Sequence, residues 1–314
     1  MAENINAGWG RLRAEALLAL KKNSGRVFLV MPSTHANWAE VSEALPGVDP
    51  QGTTRIFSTI QAAVDAAEDS ADDVIVVADG YSETVTAAAG LDLDKIGLTI
   101  IGLGKGNRRP TINFTTATTA DMDVDAEGIK IENFIFDLTG VDALAAPIDV
   151  NAANFWLDKC HFINADADGQ ATLGILTDAN AGGFKMTNCT SKGSTHSGTT
   201  SLVRIVGGVD HEFDNCHFLG AYKTTAGAIE VTTTAAGVRI IKSTILNLTA
   251  ASVAAVDFAS NSTVVLAGNV FGIRSGTTPV NIDALGTFLS GEGYFLVGGN
   301  YYRNGTSPVA GTLL

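Results

Sequence analysis

Residues 128–136 read GIKIENFIF, residues 154–162 NFWLDKCHF and residues 183–191 GFKMTNCTS. The same nine-residue grammar returns as DHEFDNCHF at 210, GVRIIKSTI at 237, TVVLAGNVF at 263 and YFLVGGNYY at 294. Successive starts lie 26, 29, 27, 27, 26 and 31 residues apart. A unit of that length cannot bury its own apolar face, so its recurrence implies stacked coils of a solenoid. Second and fourth positions are mostly apolar, as in Ile129/Ile131, Phe155/Leu157 and Phe184/Met186. Third and fifth positions are more often polar, as in Lys130/Glu132 and Lys185/Thr187. Alternation with period two marks a strand with one buried face. His211 at a second position, and Trp156, Val265 and Leu296 at third positions, break the rule.

Each strand is expected to end in a sharp bend. Asn133, Asn188, Asn215, Asn269 and Asn300 fall at the sixth or seventh position, and Asn tolerates the left-handed backbone that such a bend needs. Cys160, Cys189 and Cys216 share the seventh position of three successive coils. Neighbouring strands lie about 4.8 Å apart, so the thiols are expected to stack inward as small buried hydrophobes. A disulfide is not expected in a protein made in the cytoplasm, and zinc lacks the CxxC spacing or clustered His that would support it.

Upstream, residues 74–80 (VIVVADG) and 97–104 (GLTIIGLG) read as the first coils. Residues 58–69 are predicted to form a helix that covers the open end, with a capping box from Ser58 to Gln61 and a stripe of Ile60, Ala63, Val64 and Ala67. The predicted fold class is all-β: a single-stranded right-handed parallel β-helix, with coils of about 27 residues, an N-terminal capping helix and a short α/β N-terminal segment. Its divisions are 1–52, the β-helix at 53–305 and a tail at 306–314. Beyond residue 302 no clear cap is legible.

Hydrophobic residues are 46% of the 314, enough for a long core, and the net charge is −13. An acidic surface repels phosphate backbones and anionic lipid, so neither a nucleic-acid nor a membrane partner is expected. No apolar run approaches a membrane span, and the stretch 12–20 contains Arg13 and Glu15, unlike a signal peptide. The expectation is synthesis in the cytoplasm without export.

The segments FSTIQAAVDAA at 57–67, VIVVADGYSETV at 74–85 and LTIIGLGKG at 98–106, with Pro110, Thr111 and Ile112, closely resemble the opening module of the pectin lyase-like superfamily. That superfamily implies a right-handed β-helix over residues 53–305 and no single function. GRVFLV at 25–30, with the helical start and Thr/Ala-rich coils, is similar more narrowly to β-helix proteins encoded among tailed-bacteriophage structural genes. This resemblance implies a virion structural protein (head decoration, turret, fibre or spike) made in the host cytoplasm and located in the virion. Its implied partners are capsid or head–tail proteins and further copies of itself, as a trimer. No cofactor is implied.

The catalytic motifs of pectinesterases and polygalacturonases are missing; the nearest is Arg239-Ile-Ile-Lys242, one residue too long. Asp121, Asp123 and Asp125 alternate and would share a face, a weak calcium candidate against a plain acidic edge. Fifth positions Glu132 and Asp158 sit on neighbouring coils at about strand spacing, which matches a retaining glycosidase pair. Beside them Trp156, Lys130 and Lys185 are candidates to contact a host-surface glycan, with or without cleavage. His161 and His217 are two coils apart, too far to share a metal, and His211 reads as a satisfied core histidine. Residues 1–52 do not repeat. They are predicted to hold a helix at 11–22, a strand at 27–31 and a short helix at 38–45, and either to pad the first coil or to attach the solenoid to the particle. Trp9, Arg11, Arg13 and Trp38 are the attachment candidates, since Trp and Arg favour interfaces.

Overall fold

The structure, a computed structural model, describes residues 25–44, 54–164, 171–193, 199–222, 227–249, 254–259, 262–273, 280–282, 288–290, 294–297 and 300–303. It is a right-handed parallel β-helix of about eight turns. Three sheets of eleven, ten and eight strands run its length, and a full coil gives one strand to each. One coil, for example, supplies Lys130–Glu132 to the first sheet, Ile135–Gly140 to the second and Ile148–Val150 to the third. Register is unshifted along the first sheet: Leu157 lies between Ile131 and Met186. That alignment stacks like on like. Phe155 and Phe184 stack at 6.1 Å, Phe184 meets Phe213 edge-on at 6.0 Å, and Phe136 stacks on Phe162 at 5.1 Å.

The bends at Asn133, Asn188 and Asn215 are left-handed as expected, but at 268–269 the glycine and not Asn269 takes that conformation, and Asn300 opens a strand. Asn133, Asn188, Asn215 and Gly268 have φ of 66°, 55°, 53° and 64°. Lys159 (55°) and Lys242 (49°) also adopt the left-handed conformation at sixth positions, against their preference. Lys159 is held there by its backbone N–H, which donates a hydrogen bond to the Thr187 carbonyl at 2.9 Å, so ladder pairing overrides local propensity.

The thiols are free and buried, as expected, and each S–H points to backbone carbonyls, Cys189 at 3.4 Å from both Leu157 and Thr187. Burial pushes the Cys189 thiol well above its ordinary pKa. The column continues as Ser243 and Asn269, which accept the Cys216 and Ser243 amides at 3.0 and 2.8 Å. His211 is fully buried. Its Nε2 meets the Gly207 carbonyl at 2.9 Å, but Nδ1 has no partner, so the histidine is only half satisfied. Burial lowers its pKa.

The cap helix, α2, runs Ile60–Ala66, with α1 at Trp38–Ala44 before it. No Ser58–Gln61 capping box forms. Thr59 is the N-cap, accepting the Ala62 amide, and the Glu83 carboxylate accepts the Ile60 amide at 2.8 Å. Gln61 instead grips the Asp92 backbone, accepting its N–H at 2.7 Å, because a cap must dock on the coil it covers.

Strand Val27–Val30 lies inside the first sheet, paired with Ile56–Phe57 on one side and Val74–Val77 on the other. Residues 25–44 therefore extend the solenoid. Helix α1 covers the outer face at this end, where Leu29, Met31, Val41, Val76 and Leu103 form a second apolar cluster. Trp38 packs against that cluster, and so serves within the chain. Arg26 bonds the buried Asp73 carboxylate through Nη2 at 2.8 Å. Trp9, Arg11, Arg13 and the helix predicted at 11–22 lie outside the described residues.

At the other end the repeat reading needs correction. Tyr294–Val297 joins the second sheet, opposite Val270–Ile273, and Asn300–Arg303 turns back antiparallel to it. The first-sheet strand of this last coil is Phe288–Ser290. Val297 faces Asn300 with Gly298 and Gly299 between them, the signature of a two-residue hairpin that sequence alternation alone does not separate from a coil.

Candidate functional site

The outer face of the first sheet carries the predicted residues in register. Trp156 lies between Lys130 and Lys185, and Asp158 between Glu132 and Thr187. The structure thus brings both carboxylates and the tryptophan together. It also adds Lys159, which takes the left-handed bend one residue past Asp158.

The cluster is closed on itself. Lys130 Nζ lies 2.8 Å from Glu132 and 3.9 Å from Asp158; Lys159 Nζ lies 2.6 Å from Glu132 and 3.3 Å from Asp158. Thr187 and Asn188 donate to Asp158 Oδ1 at 2.7 and 2.9 Å. Trp156 donates its indole N–H to Thr187 at 2.8 Å, and the Lys130 ammonium sits 4.0 Å from its ring centroid. Lys185 is exposed beside it.

Burial alone would raise both carboxyl pKa values. For Glu132 the hydrogen bonds and charges of Lys130 and Lys159 outweigh burial, and the pKa is lowered. For Asp158 the Asn188 and Thr187 bonds, with Lys159, do the same. A retaining glycosidase needs one carboxyl held protonated near neutral pH. Here both are ionised, and two ammoniums neutralise them.

The aspartates form a different cluster. Asp123 lies in the third sheet between Asp92 and Asp149, and Asp121 and Asp125 flank its strand, Met122–Val124. No group of three or more His, Cys, Asp or Glu is arranged to hold a metal ion among the described residues. Asp125 instead accepts from Asn151 at 2.9 Å. Burial, then the charges of Asp121, Asp125, Asp149 and Asp92, push Asp123 from its ordinary 3.8 up to about 6.

A raised carboxyl pKa favours the folded state in acid. The contribution is present below about pH 4 and is lost as pH rises through about 6. Asp123→Asn should therefore stabilise the protein at pH 7.5 by on the order of 1 kcal/mol, allowing for solvent screening, and by nothing near pH 4. Thermal melts at both pH values check this. Equal effects at both, or a loss at pH 7.5, would refute the repulsion.

His161 and His217 flank Thr190 in the second sheet, two coils apart as read, and His161 Nδ1 lies 2.7 Å from the Thr190 hydroxyl. No helix among the described residues is long and apolar enough to cross a membrane.

No protein-family model and no curated protein matches this chain. Among solved structures it is similar to a rhamnogalacturonan lyase, with 12% identity and a TM-score of 0.46 over 81% of this chain and 75% of that one. It is similar to the ORF18 protein of Geobacillus virus E2, with 13% identity and a TM-score of 0.34 over 76% of this chain and 57% of that one. A third is the catalytic domain of a GH87 alpha-1,3-glucanase in complex with tetrasaccharides, with 10% identity and a TM-score of 0.30 over 84% and 59%.

Proposed function

We propose that this chain is a non-catalytic structural protein of tailed-bacteriophage particles, a decoration, turret or fibre component exposed on the particle surface. The observation that carries the non-catalytic part is the closed Glu132–Asp158 cluster. Two lysines, a threonine and an asparagine occupy the carboxylates and hold both of them in the ionised form. Assignment to a particle rests on the resemblance of residues 25–30, the helical start and the Thr/Ala-rich coils to phage β-helix proteins. Capsid or head–tail proteins are its partners in this reading, and the chain assembles with itself, as a trimer. Mass spectrometry of purified particles from the encoding phage should find it beside the capsid protein. Its absence from such particles would sink the proposal.

A second reading is a glycan-binding or glycan-cleaving spike. The specific observation behind it is the outward row Lys130, Trp156, Lys185, which is set in register across three strands. Oligosaccharide release stopped by Glu132→Gln, or glycan-array binding lost on Trp156→Ala, would favour it over the first.

A further inference from the structure

An open cleft of about 600 Å³ lies at the N-terminal end of the solenoid. Its walls come from the loop before α1, the turn before α2, the corner after Val74–Val77 and Arg108 of the next coil. We propose that this cleft binds a neutral, hydroxyl-rich ligand of hexose or disaccharide size, independently of the function proposed above.

The volume lies within the usual range for small-molecule sites. Carbon and polar surface share the lining about equally, but most of its residues bring a polar group, so a purely apolar ligand would strand those groups. Several of those groups are held in place yet have bonding capacity left. Arg108 accepts the Gly80 amide on its carbonyl at 2.6 Å and donates both Nε, at 2.8 Å, and Nη2 to Asp79 Oδ2, while 66% of its side chain stays exposed. The Nη1 hydrogens and the second hydrogen of Nη2 are left for the cleft.

Glu83 uses Oε2 to accept from the Tyr81 hydroxyl and the Ile60 amide, leaving Oε1 as an acceptor. Ser82 accepts from Asn113 at 2.8 Å, which leaves its O–H to donate. His35 is pinned as a wall: Asn37 N–H donates to Nδ1 at 3.2 Å, so Nε2–H donates to the Asp79 carbonyl at 2.9 Å. Fixed carboxylate acceptors beside guanidinium and hydroxyl donors match vicinal hydroxyls, each of which both gives and takes a hydrogen bond.

Charge decides against an anion. Asp79 and Glu83 set two negative charges against the single positive charge of Arg108, so a phosphate or uronate would meet net repulsion.

The test is saturation-transfer NMR and calorimetry on the full chain with D-galactose, D-glucose, N-acetyl-D-glucosamine and lactose, and D-galacturonate as the anionic control. At least one neutral probe should bind saturably with a Kd of roughly millimolar order. Arg108→Ala should weaken it at least about tenfold, the worth of a charge-assisted bond. Ser82→Trp, an outward and exposed position, should fill the cleft and abolish binding, whereas Trp156→Ala should leave it unchanged. The proposal is overturned if no neutral probe binds, if binding survives Ser82→Trp, or if galacturonate binds as tightly as the neutral sugars.

Discussion

Deleting residues 1–52 is expected to leave a protein that aggregates or loses its N-terminal coils. The deletion removes an interior strand, not an appendage, since Val27–Val30 is hydrogen-bonded between Ile56–Phe57 and Val74–Val77. Phe28 and Val30 leave the main core, while Leu29, Met31 and Val41 leave the cluster on the outer face. Fully burying such side chains is worth about 1.5–3 kcal/mol each, so five of them rival the net stability of a whole domain. Strand Val74–Val77, buried on both faces, would become a bare apolar edge, the kind that pairs with other chains. Size-exclusion chromatography with thermal melts decides it. A truncated protein that elutes in the same assembly state as full length and melts within a few degrees of it would contradict this packing, and would return the segment to the role of a free foot for attachment.

Phe184→Ala should have the largest effect of any single substitution at the centre of the helix. Phe184 is fully buried between Phe155 and Phe213. Truncating a buried phenylalanine costs about 3–5 kcal/mol, because a cavity is left as well as lost transfer energy. A drop in Tm of about 10 °C is expected, with early unfolding confined to the neighbouring coils, since each coil contacts only its neighbours. Hydrogen exchange maps that locality. A drop of only a degree or two would mean that the phenylalanine stack is not the spine of the core.

The coils were legible because a strand with one buried face writes itself as alternation, and because left-handed bends favour Asn and Gly. The same logic missed Lys159 and Lys242, whose bends are set by ladder bonds to neighbouring coils. It also took the Gly-Gly hairpin at 294–303 for another coil, since period-two alternation is identical in parallel and antiparallel strands. The strand at 27–30 was visible, but its insertion between two later strands is long-range topology that local pattern does not carry. Spacing placed Glu132, Asp158 and Trp156 together correctly. It did not reveal that Lys159, one residue past Asp158, closes the cluster. The N-terminal cleft was illegible for a related reason: its walls lie at 32–36, 58–59, 79–83 and 108, and no motif joins them.

Whether the first-sheet carboxylates are structural or catalytic can be measured directly. Carbon-detected NMR titration of the Glu132 and Asp158 side-chain carboxyls, assigned with Glu132→Gln and Asp158→Asn, reports each protonation separately. Both should titrate below their ordinary values of 4.5 and 3.8, held down by Lys130, Lys159, Thr187 and Asn188. A titration of either group at about 6 or above would mean that a proton donor is poised on this face at neutral pH. It would contradict the non-catalytic account.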